Sequence, residues 1–173
     1  MKDARQRFVG RYRPPRPKRS PLITAVGAQA LKDELQDLWS NKRPVITQAV
    51  KEAAALGDRS ENAEYIYGKK MLREMDSRIL YLQRRIDQIK VVDEPPSNLA
   101  KIYFGAWVTL LDDNDQQRRY RIVGADELNP SGGYISIDSP LALALIGKQL
   151  DDYVELKDLG KGYEIIAIDY SVD

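Results

Sequence analysis

Leu56-Gly57-Asp58-Arg59-Ser60-Glu61-Asn62-Ala63-Glu64-Tyr65 stands between two long helical patterns. After it, from about Ser60 to Lys90, the apolar residues Leu72, Met75, Ile79, Leu82, Ile86 and Ile89 follow at alternating steps of three and four, with Tyr65 ahead of them. That alternation is the a/d seam of a coiled coil. Before it, Ala25 to Ala55 reads as one helix whose apolar positions include Leu31, Leu35, Leu38, Val45, Ala49 and Ala53. At a rise of 1.5 Å per residue, each arm is about 45 Å long. The two patterns make a helical hairpin whose tip carries Asp58 and Glu61.

The ends of the arms carry their own signals. Thr24, after Pro21, Leu22 and Ile23, suits the N-cap of the first helix. Pro44 lies inside the pattern and cannot donate a backbone hydrogen bond, so a kink is expected between Asn41 and Pro44. Gly57 suits the residue that closes a helix. Val92-Asp93-Glu94-Pro95-Pro96-Ser97 ends the second helix and opens an interdomain linker. The expected organisation is a basic tail over 1–19, the hairpin over 20–94, a linker over 95–98 and a second domain over 99–173.

That second domain has a different rhythm. Trp107 to Leu111, Arg119 to Val123, Tyr134 to Ile137, Val154 to Leu156 and Gly162 to Ile168 read as strands, with Asp112 to Asp115 and Asn129 to Gly133 as turns. One short helix interrupts them, with Ser139 as cap, Pro140 at its first position, Leu141 to Ile146 as its body and Gly147 as its stop. The order predicts a small antiparallel sheet packed on one helix, an α+β unit.

Composition narrows the chemistry. The 173 residues include no cysteine and no histidine, which excludes disulfides, thiolate or imidazole metal sites, and Cys/His or Ser/His catalysis. Any metal must be a hard cation held by carboxylates, and acid–base work falls to Asp, Glu, Lys or Tyr. No apolar run reaches transmembrane length, and the basic N-terminus lacks the apolar segment of a secretory signal, so a cytoplasmic protein with no membrane partner is expected. The net charge of +1 conceals an asymmetry. Residues 1–19 carry eight Lys or Arg and one Asp, and residues 97–173 carry seven basic and thirteen acidic side chains. The tail, with Pro14, Pro15 and Pro17 among its arginines, reads as disordered, with a salt-sensitive grip on nucleic-acid phosphates (RNA- or DNA-binding) or a solubilising extension as its two roles.

The tip has two readings. In the plain one, Asp58 is the N-cap of the second helix and Glu61 its N3 residue, a variant of the capping box. In the sharper one, Asp58 and Glu61 present carboxylates to Mg²⁺, which commonly takes one or two protein carboxylates and completes its shell with water and phosphate. Two acids at an exposed tip make half a site, so a partner must supply the rest. Lys69, Lys70, Arg73, Arg78, Arg84 and Arg85 on the second helix read first as a solvated face with pairs such as Glu74–Arg78.

The tip sequence resembles that of the bacterial Gre transcript-cleavage factors. Lys69-Lys70-Met71-Leu72-Arg73-Glu74-Met75-Asp76 continues the match, as do Phe104 to Val108, Arg121 to Gly124 and Tyr134-Ile135-Ser136-Ile137-Asp138-Ser139-Pro140. The resemblance runs from about Ser20 to the C-terminus, and Arg59-Ser60 is nearer the GreB branch than the GreA branch. The basic extension through Arg19 departs from the pattern. The resemblance implies a coiled-coil hairpin followed by an FKBP-like domain that docks at the rim of the secondary channel of bacterial RNA polymerase. It implies that the hairpin enters the channel, where Asp58 and Glu61 help hold a Mg²⁺ ion beside the polymerase's own aspartates. The polymerase then cleaves backtracked RNA, so this chain would be a cofactor and no enzyme itself, acting as a monomer. Ser60 would assist, Arg59 would meet RNA phosphate or the channel wall, and Lys69, Lys70 and Arg73 would guide the extruded 3′ RNA. Arg84 and Arg85 read as surface and Tyr65 as packing. Two other classes stand beside this one: a channel-binding regulator of the same fold that does not stimulate cleavage, and a stand-alone nucleic-acid-binding or prolyl-isomerase module.

Overall fold

The computed structural model describes residues 19–57, 59–156 and 160–171. Apart from Arg19, the basic tail lies outside the described residues. The first strand, β1 (Leu22–Thr24), leads directly into α1 (Ala25–Asp37). Thr24 caps α1 as its sequence predicts, its hydroxyl oxygen accepting from the Gly27 N–H at 3.0 Å.

The helical path then runs through a π turn (Leu38–Lys42) into α2 (Arg43–Ala55). The kink expected at Pro44 takes this form. Proline lacks an N–H and its ring crowds the carbonyl four residues back. The turn before it is widened, and the Arg43 N–H reaches back five residues to the Leu38 carbonyl. Such a turn accommodates one extra residue, so the apolar face slips by one position. The seam expected at Val45 and Ala49 is therefore corrected to Ile46 and Val50. Val45 is 69% exposed, whereas Ile46 and Val50 are half-buried. Val50 lies against Gly68 of the returning arm, where an added Cβ would stand 2.7 Å from its methyl group.

The returning arm is α3 (Ala63–Ile86). Its seam is as the spacing predicts: Ile79 and Leu82 are buried, and Tyr65, Leu72, Met75 and Ile86 are half-buried. The arms run antiparallel, since Arg43 pairs with Asp76 at 2.8 Å and Arg78 makes two bonds of 2.7 Å to Glu34. The expected Glu74–Arg78 pair is thus replaced by one across the arms. Helix α3 also starts and stops inside its predicted limits. Beyond it, Lys90–Val92 forms β2, paired in parallel with β1 in the register Leu22↔Lys90 and Thr24↔Val92. Ile89 still packs on the core at the root of the hairpin, so the apolar rhythm continues past the point where the helix ends. Among the described residues, no helix is long and apolar enough to cross a membrane.

The rest of the chain folds as β3 (Trp107–Asp112), β4 (Gln117–Val123), β5 (Tyr134–Ser136), α4 (Pro140–Leu145), β6 (Tyr153–Leu156) and β7 (Lys161–Asp169). The sheet order is β5-β4-β3-β7-β6. The predicted antiparallel sheet is corrected to a mixed one, because β4 and β5 pair in parallel. A tight turn joins only antiparallel neighbours. The chain between β4 and β5 makes an excursion to the hairpin and a 3₁₀ turn (Pro130–Gly132), and so returns to the same end of the sheet. Ser139 caps α4 as expected, accepting from the Ala142 N–H at 3.2 Å. Ile102, Val108, Leu110, Ile122, Leu145 and Ile165 fill the core beneath that helix.

Residues 124–127, on that excursion, join the sheet to the root of the hairpin. Asp126 accepts from Arg85 Nε at 2.6 Å and from the Tyr81 hydroxyl, and Arg85 donates again to the Ser20 carbonyl at 2.6 Å. The Arg85 and Asp126 side chains are only 8% and 6% exposed, which corrects the surface role expected of Arg85. Burial first, and then the bond to Asp126, push the Tyr81 phenol above its usual range, so it remains a donor. Glu127 meets the start of α1, accepting from the Thr24 N–H at 3.1 Å, the Gly124 N–H at 2.8 Å and the Thr24 hydroxyl. Gly124 is needed there, since a Cβ would stand 2.5 Å from the Leu22 carbonyl.

Asp126→Asn leaves Arg85 buried without its counter-charge, and a loss of about 3 kcal/mol is expected in urea melts. Glu34 behaves differently because it is partly exposed. The hydrogen bond from Arg78 is the first cause holding its carboxyl below the ordinary 4.5. Its contribution is present above pH 4.5 and is lost as pH falls through the lower folded value. Glu34→Gln is expected to flatten the acid side of a stability-against-pH curve slightly and to leave its alkaline side unchanged.

Candidate functional site: the acidic tip

Helix α2 ends at Ala55, and the Leu56 N–H turns back to the Ala53 carbonyl at 3.2 Å. Gly57 follows at φ +133°, a conformation that suits a residue without a Cβ. Asp58 lies outside the described residues. Glu61 is exposed, and among the described residues it has no hydrogen-bond or ion-pair partner. The next residue, Asn62, is the cap of α3. Its side-chain oxygen accepts from the Tyr65 N–H at 3.0 Å, and its side-chain nitrogen donates to the Ala53 carbonyl at 2.8 Å.

This corrects the capping-box reading. The cap stands four positions beyond Asp58, and Glu61 precedes the helix instead of sitting in its first turn. Glu64 is the acid in that turn, where the helix dipole favours it. A signal for the true cap was present, because asparagine is among the strongest N-cap residues. The Asp-x-x-Glu spacing one turn earlier competed with it.

The Arg59 guanidinium lies 6.0 Å from the Tyr65 ring centroid, so Tyr65 serves both the seam and the turn. Ser60 is exposed and is already engaged in an interaction. Lys69, Lys70 and Arg73 are exposed on α3, the last about 15 Å along the arm from its start. Lys70 stands 4.0 Å from Glu74, with both side chains about two-thirds exposed, so the pair contributes little. Lys69 and Arg73 have no ion-pair partner among the described residues. No group of three or more His, Cys, Asp or Glu able to hold a metal occurs among the described residues. The exposed Glu61 carboxylate has the hard-oxygen chemistry that Mg²⁺ takes.

Two family models cover nearly the whole described chain: "Transcription elongation factor, N-terminal" over residues 21–91 and "Transcription elongation factor, GreA/GreB, C-term" over residues 96–170. The chain belongs to the GreA/GreB family of transcription elongation factors. Its relatives include the transcription elongation factor GreB of Pseudomonas aeruginosa, 57% identical over 164 residues that cover 94% of this chain and 98% of that one. The GreB of Yersinia pestis is 55% identical over 139 residues, 80% of this chain and 81% of its own. The GreB of Xanthomonas axonopodis pv. citri is 46% identical over 166 residues, 94% and 99% of the two chains. Among solved structures, the GreA factor homolog 1 of Thermus thermophilus is 21% identical and covers 86% of this chain and 97% of its own at a TM-score of 0.40, a likeness too loose to bear on the site.

Within this Gre chain, the side chains of Lys69, Lys70 and Arg73 stand exposed on α3, whereas Arg78 is paired with Glu34 across the arms and Arg85 is buried. Replacing Lys69, Lys70 and Arg73 singly by alanine is expected to change unfolding free energy by no more than about 0.5 kcal/mol each in thermal or urea melts.

Proposed function

We propose that this chain is a transcript-cleavage factor for bacterial RNA polymerase, a cofactor of the polymerase's own Mg²⁺-dependent endonuclease. The observation that carries the reading is the cap. Asn62 closes the start of α3. Glu61, without a partner among the described residues, is therefore left at the far end of an arm that runs from Ala25 to Ala55, about 45 Å long. A carboxylate held that far from any core is suited to a site that another molecule completes.

On this reading the seam of α1, α2 and α3 acts as a coiled-coil hairpin over 20–94 that enters the polymerase's secondary channel. Residues 99–173 act as an FKBP-like docking module at the channel rim, with 95–98 as the linker. Asp58 and Glu61 supply oxygen ligands beside the polymerase's aspartates. A Mg²⁺ ion held there would supply an activated water for attack on the RNA phosphodiester and would offset transition-state charge. Ser60 orients the turn. Lys69, Lys70 and Arg73 line the α3 side of the path and hold phosphates of the extruded 3′ RNA without reading its bases. The protein works as a cytoplasmic monomer.

The test is RNA cleavage in a stalled, backtracked elongation complex given Mg²⁺ and either the intact protein or Asp58→Ala with Glu61→Ala. The intact protein is expected to release 3′ RNA fragments, and the double variant to bind polymerase equally well while losing at least about a hundredfold in cleavage rate. Equal cleavage by both would remove the tip acids from the chemistry. Binding without cleavage by either would make the chain a channel-occupying regulator.

A further inference from the structure

The tip is closed by one side chain that serves two helices. Asn62 lies between the arms with its amide oxygen on the Tyr65 N–H and its amide nitrogen on the Ala53 carbonyl. That carbonyl also receives the Leu56 N–H, and the Asn62 carbonyl receives the Ile66 N–H at 3.0 Å. One residue therefore ends α2, starts α3 and ties the two ends together across the intervening loop. Glu61 is the immediate neighbour of the tied residue, one peptide unit or about 3.8 Å away along the chain.

We propose that Asn62 is the positioning residue of the acidic tip, holding in place the loop that presents Glu61. The proposal rests on the cleavage reading above. Asparagine suits the task because its amide carries an acceptor and a donor on one planar group. Reversing the amide would set N–H against N–H and oxygen against oxygen. Aspartate keeps the acceptor for Tyr65 and is as good a cap, but it has no donor and would face the Ala53 carbonyl with a second oxygen. Serine also caps well, yet its single short hydroxyl cannot serve both partners. The two substitutions therefore separate the cap of α3 from the tie between the arms.

Polymerase cleavage assays with Asn62→Asp and Asn62→Ser test this, each run against protein concentration and against Mg²⁺. Melting temperatures near that of the intact protein are expected, because the cap persists. The cleavage rate at saturating protein is expected to fall about tenfold in both variants. The protein concentration giving half-maximal cleavage should stay unchanged, and the Mg²⁺ concentration giving half-maximal cleavage should rise, with excess Mg²⁺ restoring part of the rate. A cap that served folding alone would not shift the Mg²⁺ dependence. Full activity in Asn62→Ser overturns the proposal, even if Asn62→Asp is slow, since added charge would then be the cause. So does a rate loss that follows weakened polymerase binding with the Mg²⁺ dependence unmoved. If the intact protein does not cleave, the functional reading has failed. Amide exchange then decides the tie itself: faster exchange over residues 56–61 in Asn62→Ser, with Tyr65 still protected, upholds it, and unchanged exchange overturns it.

Discussion

Two adjacent carboxylates, Asp126 and Glu127, hold the hairpin to the sheet. Asp126 is buried against Arg85 and Tyr81 of α3, while Glu127 accepts from the N–H and hydroxyl of Thr24, the N-cap of α1. One dipeptide thus contacts both arms at their root. A buried carboxylate without such donors would be strongly unfavourable, so the ion pair forms only when α3, the Ser20 segment and the 124–127 loop are all in place. That makes the joint cooperative, because none of the three satisfies its polar groups alone. The parallel pair β1–β2 completes it by closing the two ends of the hairpin on each other.

The hairpin was legible in the sequence because its seam on α3 is a simple repeat. Leu72, Met75, Ile79, Leu82 and Ile86 meet the other arm in the order that their spacing implies. The opposite arm was legible as far as Leu38 and again at Ala53, which is buried as expected, but not at Val45 and Ala49 between them. Past Leu38 the π turn shifts the face by one residue, and no apolar pattern announces a shift whose cause is the backbone of Pro44. Val45 is apolar and correctly spaced, yet it faces solvent.

The errors elsewhere have a common origin: local patterns were decided by partners distant in sequence. Arg85 looks like any exposed helical arginine until Asp126, 41 residues later, is brought beside it. Lys90–Val92 carries the apolar rhythm of the helix before it and becomes a strand because β1 lies alongside. The antiparallel expectation for β5 failed because the 124–127 loop is drawn away to the joint. At the tip, both acids and the cap were visible, but two overlapping cap signals competed. Which one the chain uses depends on the Ala53 carbonyl, since only Asn62 offers that carbonyl a donor while also capping α3.

The root joint also has a trigonometric consequence. An arm about 45 Å long converts each degree of tilt at its base into roughly 0.8 Å of travel at its end. On the proposed reading the tip shares a metal site, and coordination chemistry tolerates only tenths of an ångström. The orientation of the hairpin on the sheet would then have to be fixed to a fraction of a degree or corrected by the partner that receives it. A clamp of buried, charged hydrogen bonds resists such tilting more than exposed contacts do. Its location at the pivot, where angular error originates, is where such stiffness has the greatest effect.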